Sequence, residues 1–99
     1  MSFSEEMIQK IWEKGTTVQG YDPNVWRKDA CGAWINHNAH NGKRENPVDY
    51  EWEIDHINPN GGDNLSNLRP LQWKNNADKG AGRLGCSVTS DGNHNVLRQ

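Results

Sequence analysis

Residues 50–57 constrain the fold more than any other part of the chain. Tyr50, Trp52, Ile54 and His56 alternate with Glu51, Glu53 and Asp55, a period of two that a β-strand satisfies by sending successive side chains to opposite faces. The strand runs straight into Asn58-Pro59-Asn60-Gly61-Gly62-Asp63-Asn64, whose backbone preferences make a turn rather than more strand. A second, antiparallel strand is expected over 68–71. Residues 73–79 then have room for two turns of helix before Gly80 and Gly82 end it. Strand, polar loop, strand and short helix between residues 50 and 80 form the centre of the expected fold.

At 99 residues the chain is one small domain, and apolar residues make up only 32% of it. Five tryptophans (Trp12, Trp26, Trp34, Trp52 and Trp73) offset that shortage, because each buries a large area. Outside the central stretch, residues 2–14 carry a helical stripe of Met7, Ile8, Ile11 and Trp12, with Gly15 as a stop. Ser2, with Glu5 completing a capping box, or Ser4 one turn on, would cap it. Residues 16–23 are a connector. A short helix capped by Asp22 or Asn24 is expected over 24–30, extended chain over 32–37, and a polar loop over 38–47. The tail beyond Leu84 allows a hairpin around Asp91-Gly92 or a loosely attached end. Together these elements make a single α+β domain without internal repeats.

The formal net charge of −2 does not advertise nucleic-acid binding, but its distribution is uneven. Residues 69–83 hold four basic side chains against one acid, as do residues 27–44, while acids gather at Glu5, Glu6 and Glu13 and from Asp49 to Asp55. That asymmetry allows a basic face, although a solvated surface is the plainer reading. Cys31 and Cys86 form no C-x-x-C pair, which leaves no four-cysteine zinc site. A disulfide between them is not expected in a reducing cytosol. No apolar run suits a signal peptide or a membrane span, so a cytoplasmic protein that engages no membrane is the expectation.

The residues suited to chemistry are Glu53-Ile54-Asp55-His56-Ile57-Asn58-Pro59, Gly61-Gly62, Asn67-Leu68 and Asn76-Ala77-Asp78-Lys79. His56 is the only histidine beside a carboxylate at a strand-to-loop junction, and an imidazole is the side chain best matched to taking a proton from water near neutrality. Asp55 offers a hard carboxylate oxygen and Asn76 a carbonyl oxygen, donors that suit magnesium or manganese. The ordered set resembles the HNH, or ββα-metal, nucleases. That family places an acid and a histidine at the end of one strand, an asparagine after the loop, and a histidine or asparagine on the following helix. Ten residues separate His56 from Asn67 and eight separate Asn67 from Asn76, which stands where many members have histidine. The resemblance covers residues 50–80 and extends loosely back to Arg27.

The resemblance implies a small ββα-metal (His-Me finger) fold with an added N-terminal helix, and a metal-dependent DNA endonuclease. His56 would activate water, and Asp55 and Asn76 would hold one divalent ion (magnesium or manganese, with zinc, nickel or cobalt as alternatives). Asn67 would hydrogen-bond across the loop and fix its shape. Lys79, one helical turn beyond Asn76, would contact phosphate, as would Arg69 and Arg83. One site per chain implies a monomer that nicks one strand, with a dimer left open. Asn75 is the alternative to Asn76; the three-residue step to Lys79 favours Asn76.

Many members of that family brace the fold with two C-x-x-C pairs around a structural zinc. The corresponding positions here read Cys31-Gly32-Ala33-Trp34 and Gln72-Trp73-Lys74-Asn75, so no structural zinc is expected. Trp34, Trp73 and the N-terminal stripe would brace the fold instead. His37, His40 and His94 have no matched role; the first two lie where they could approach the site or DNA, but solvated loop side chains are the plainer expectation. Two other functions stay open: a module that binds nucleic acid or protein without cutting, and a metal-dependent phosphatase acting on small esters. Phosphate contact rather than base readout would dominate any DNA affinity.

Overall fold

Ser4 opens the first helix, α1 (Glu5–Trp12), by accepting a hydrogen bond from the Met7 backbone N–H at 3.1 Å. The computed structural model describes residues 3–98, so the alternative cap, Ser2, lies outside the described residues. Glu5 and Glu6 in the first turn and Lys10 in the last complement the helix dipole. The apolar stripe faces inward: Ile11 and Trp12 are fully buried, with Met7 and Ile8 packed alongside.

Three antiparallel ladders of two strands each follow. β1 (Trp26–Lys28) pairs with β2 (Trp34–Asn36), β3 (Trp52–His56) with β4 (Leu68–Gln72), and β5 (Val88–Asp91) with β6 (His94–Leu97). A 3-10 turn, Leu65–Asn67, leads into β4. The second helix, α2 (Trp73–Lys79), follows β4 directly, because the Gln72 side-chain oxygen accepts from the N–H groups of Lys74 and Asn75 and so caps it. The result is a small α+β domain whose 12.5 Å radius of gyration matches a compact chain of about 100 residues. Among the described residues no helix is long and apolar enough to cross a membrane.

The core lies between α1 and the β3–β4 ladder, where Trp12 and Trp52 meet with ring centroids 5.5 Å apart. Trp34 and Trp73 brace the periphery, their indole N–H groups donating to the carbonyls of Gly92 and Asn46 at 2.8 Å each. His37 and His40 are not solvated loop side chains as expected. His37 stacks on Trp12 at 4.7 Å, and His40 lies against Trp52 at 4.4 Å. Burial holds the His40 imidazole below its ordinary value, against the opposing charge of Glu53.

The helix expected over 24–30 is also corrected. Asp22 does cap: its Oδ1 accepts from the Asn24 N–H at 2.9 Å, and its carbonyl accepts from Val25 and Trp26. One turn forms and stops there. Trp26 then meets Trp34 and Tyr50 edge-on, at 6.3 and 5.1 Å, while Arg27 pairs with Ile35 across the ladder. Aromatic packing and ladder bonds override the local helical preference.

The expectation of unpaired cysteines is overturned too. Cys31 and Cys86 form a disulfide, with Cα atoms 5.3 Å apart. Contacts that the linear sequence does not display bring them together. Asn75 holds Val88 by two backbone hydrogen bonds, 2.8 and 3.0 Å, and the Thr89 hydroxyl donates to the Cys31 carbonyl at 2.9 Å. Asn95 exchanges a similar pair of bonds with the Trp34 backbone, so the tail is an attached hairpin rather than a loose end. Asp29, 4% exposed, ties the same region to β4. Its Oδ1 accepts from the N–H groups of Cys31 and Ala33, and its Oδ2 from the Gln72 N–H and Asn75 Nδ2. Burial nonetheless pushes the Asp29 carboxyl above its ordinary value.

Candidate active site

β3 sends Trp52 into the core and turns Glu53 and Asp55 towards α2, the two-residue period seen in the sequence. α2 answers with Asn76 and Lys79, three residues apart and therefore on one helical face. Asn76 Nδ2 donates to Glu53 Oε1 at 2.9 Å. Lys79 Nζ lies 3.0 Å from Asp55 Oδ1 and donates to the His56 carbonyl at 3.1 Å. The ladder register sets Arg69 opposite Asp55, where its Nε donates to Oδ2 at 2.8 Å. Asp55 is 3% exposed, and both of its oxygens have a cationic partner; each oxygen keeps a second lone pair. Lys79 and Arg69 are therefore anchors of Asp55, and Arg83 is exposed beyond the end of α2.

Asn76 is the asparagine that faces the site. Asn75 is buried and committed to Asp29 and Val88. Because the Asn76 amide nitrogen is bound to Glu53, its carbonyl oxygen is left with no donor among the described residues.

Asn67 spans the loop between β3 and β4. Its Oδ1 accepts from the Asn58 N–H at 2.9 Å, and its Nδ2 donates to the carbonyls of Asn58 at 2.9 Å and Gly62 at 2.8 Å. Gly61 packs so closely that an added Cβ would sit 2.8 Å from Asn67 Nδ2. Gly62 has φ +80°, which a side chain disfavours. The loop held in this shape delivers Asp63 to His56, with Nε2 2.6 Å from Asp63 Oδ1.

His56 is about one-third exposed and lines two adjoining clefts together with Ile54 and Asn76. One cleft continues past Asp55, Pro59 and Lys79; the other continues past Glu53, His40 and Arg44. Arg44 was visible in the sequence only as part of a basic strip. Here, with φ +59°, it forks onto Glu53: Nε lies 2.7 Å from Oε2 and Nη2 lies 2.5 Å from Oε1. Burial works to raise the Glu53 carboxyl. The hydrogen bonds from Arg44 and Asn76, with the charges of Arg44 and His40, outweigh it and hold the group below the ordinary carboxylate value. The bond to Glu53 raises the Arg44 guanidinium in turn. A glutamate two residues before Asp55 on the same strand face was the available signal for this pair.

Glu53 and Asp55 thus face three cations, Arg44, Arg69 and Lys79, and with the Asp63 carboxylate on His56 the acidic and basic groups around the site balance. Among the described residues no three His, Cys, Asp or Glu side chains converge to hold a metal ion. Any cation here would draw on Asp55, the Asn76 carbonyl and oxygens from outside the chain. Compared with known proteins, the chain matches no family model, no curated protein and no solved structure.

Proposed function

We propose that this chain is a metal-dependent DNA endonuclease of the HNH type, with β3, β4 and α2 as its ββα-metal unit. The observation that carries the reading is the convergence on one cleft of His56, Asp55 and the Asn76 carbonyl, which has no donor among the described residues. The donor set fits a divalent ion: Asp55 keeps spare lone pairs, the Asn76 oxygen has no donor among the described residues, and two protein ligands leave the remaining positions to water and phosphate. When bound, such an ion (magnesium or manganese foremost) neutralises charge on the phosphate and on the departing 3′ oxygen.

The chain's own residues supply the rest. His56 takes the proton from the water that attacks phosphorus, and the bond to the 3′ oxygen breaks. Arg69 and Lys79 hold the Asp55 carboxylate in place, a role that replaces the phosphate contacts expected of them. Arg44, about half exposed at the cleft rim, is the cation available to substrate phosphate, with Arg83 farther out. One site per chain makes a monomer nick a single strand. A cytoplasmic setting belongs to the same proposal. There the Cys31–Cys86 disulfide would have to persist against thiol buffers, and protein trapped from cells with both cysteines reduced would show that it does not.

One observation favours a second reading, a nucleic-acid-binding module without catalysis: both Asp55 oxygens are already paired with cations. Supercoiled plasmid incubated with magnesium or manganese separates the two. Open-circle product that chelator abolishes supports the nuclease. Chelator-insensitive DNA binding with no nicking under any divalent ion supports the binding module, and turnover of nitrophenyl phosphate but not DNA would make the protein a phosphatase.

A further inference from the structure

The Asp63–His56 pair stands apart from the metal ligands and the phosphate contacts, and its chemistry selects one nitrogen of the imidazole. An ionised carboxylate only accepts hydrogen bonds, so the 2.6 Å contact between His56 Nε2 and Asp63 Oδ1 forms only when Nε2 carries the proton. In the neutral ring the proton is then absent from Nδ1, and Nδ1 is the nitrogen with a free lone pair. We infer that Asp63 is a positioning residue that locks His56 in the Nε2–H tautomer, leaving Nδ1 as the nitrogen that takes the proton from water.

The loop between β3 and β4 is built to hold that carboxylate still. Asn67 binds Asn58 twice and Gly62 once, fixing the chain on the residue immediately before Asp63. Gly61 leaves no room for a side chain against Asn67, and Gly62 takes up the positive φ needed for the bend. The hydrogen-bonded asparagine, the two glycines and the aspartate thus act as one unit whose end product is a single orientation of His56. Asp63 is not among the residues that line either cleft; it acts through the imidazole. Histidines at other catalytic sites depend on a partner of this kind to fix tautomer and ring orientation.

The functional half of the inference rests on the nuclease reading, whereas the tautomer can be read without any activity. Nitrogen-15 correlation spectra of the histidine rings, recorded at about pH 8.5 where neutral imidazoles dominate, identify which ring nitrogen of His56 is protonated. The wild type is expected to show the Nε2–H tautomer alone. Asp63→Asn, whose amide can either accept or donate, and Asp63→Ala, which offers neither, are expected to show mixed tautomers with unchanged far-ultraviolet circular dichroism. In plasmid nicking both variants should lose about 10- to 100-fold in kcat, by analogy with the hydrogen-bond partners of metal-bound imidazoles, with KM for DNA unchanged. A wild-type Nδ1–H tautomer, or a tautomer that neither variant alters, would overturn the inference. So would a variant with mixed tautomers and wild-type kcat. A wild type that holds the Nε2–H tautomer through Asp63 and cuts no DNA with any metal would overturn the nuclease reading, while upholding the tautomer lock.

Discussion

Asn67→Ala tests whether the loop between β3 and β4 positions the candidate active site. The substitution removes three hydrogen bonds, to the Asn58 N–H, the Asn58 carbonyl and the Gly62 carbonyl. Each would contribute about 0.5–1.5 kcal/mol in a buried setting. All three lie at the surface, where water replaces lost partners, so about 1–2 kcal/mol for the loop is the better figure. Spread over the whole domain, that corresponds to a Tm lower by about 4–16 °C. Activity should fall further than stability, because a displacement of about 1 Å at the reacting groups costs on the order of a hundredfold in rate. The assay pairs plasmid nicking, at a temperature where the variant is fully folded, with amide hydrogen exchange over residues 58–64. The expected result is faster exchange in that loop, little change in β3 and α2, and nicking reduced by about two orders of magnitude. Faster exchange with a wild-type nicking rate would show instead that the loop moves without disturbing His56, and that Asn67 does not position the site.

Asp29→Asn replaces one acceptor oxygen by an NH2 group in a buried site that receives four donors, so it should destabilise the fold by about 1–3 kcal/mol, read as a lower urea midpoint. Reducing the Cys31–Cys86 bond, which closes a 55-residue separation, should cost about 4 kcal/mol if chain entropy governs it; a melting curve unchanged by reductant would contradict that. His40 is held neutral by burial while the unfolded chain takes up a proton below its ordinary value of 6.5. Below that pH the unfolded state binds more protons than the folded one, so stability falls as pH drops through 6.5 towards the lowered folded value. Urea titrations across pH 5 to 8, the range in which histidines change charge, should show that slope in the wild type, and a weaker one in His40→Phe.

The parts of this molecule that were legible in the sequence are those set by local rules. The alternation from Tyr50 to His56, the turn chemistry after Ile57 and the glycines after Lys79 mark β3, its loop and the end of α2 within a residue or two. The Asn67 bridge was expected from the family resemblance, and the loop carries it. What was not legible depends on contacts between distant segments. Residues 24–30 carry a helix cap, yet Trp26 finds Trp34 and Tyr50 and the chain becomes a strand. Cys31 and Cys86 meet only because Asn75 and Thr89 draw the tail across the β1–β2 turn. His37 and His40 sit among polar residues in the sequence but stack on Trp12 and Trp52 in the fold. Lys79 and Arg69 look like phosphate contacts until the packing of α2 sets the first, and the β3–β4 register the second, against Asp55, while Arg44 depends on a loop conformation that no local pattern announces.

Whether His56 serves as the general base of a nuclease is decided by plasmid nicking with the wild type and His56→Ala under manganese or magnesium. The wild type is expected to convert supercoiled DNA to open circles, and the variant to bind DNA equally well but nick it about 10²- to 10⁴-fold more slowly, the contribution of a positioned general base. A variant that nicks at the wild-type rate, or a wild type that leaves the plasmid supercoiled with every divalent ion, would contradict that role.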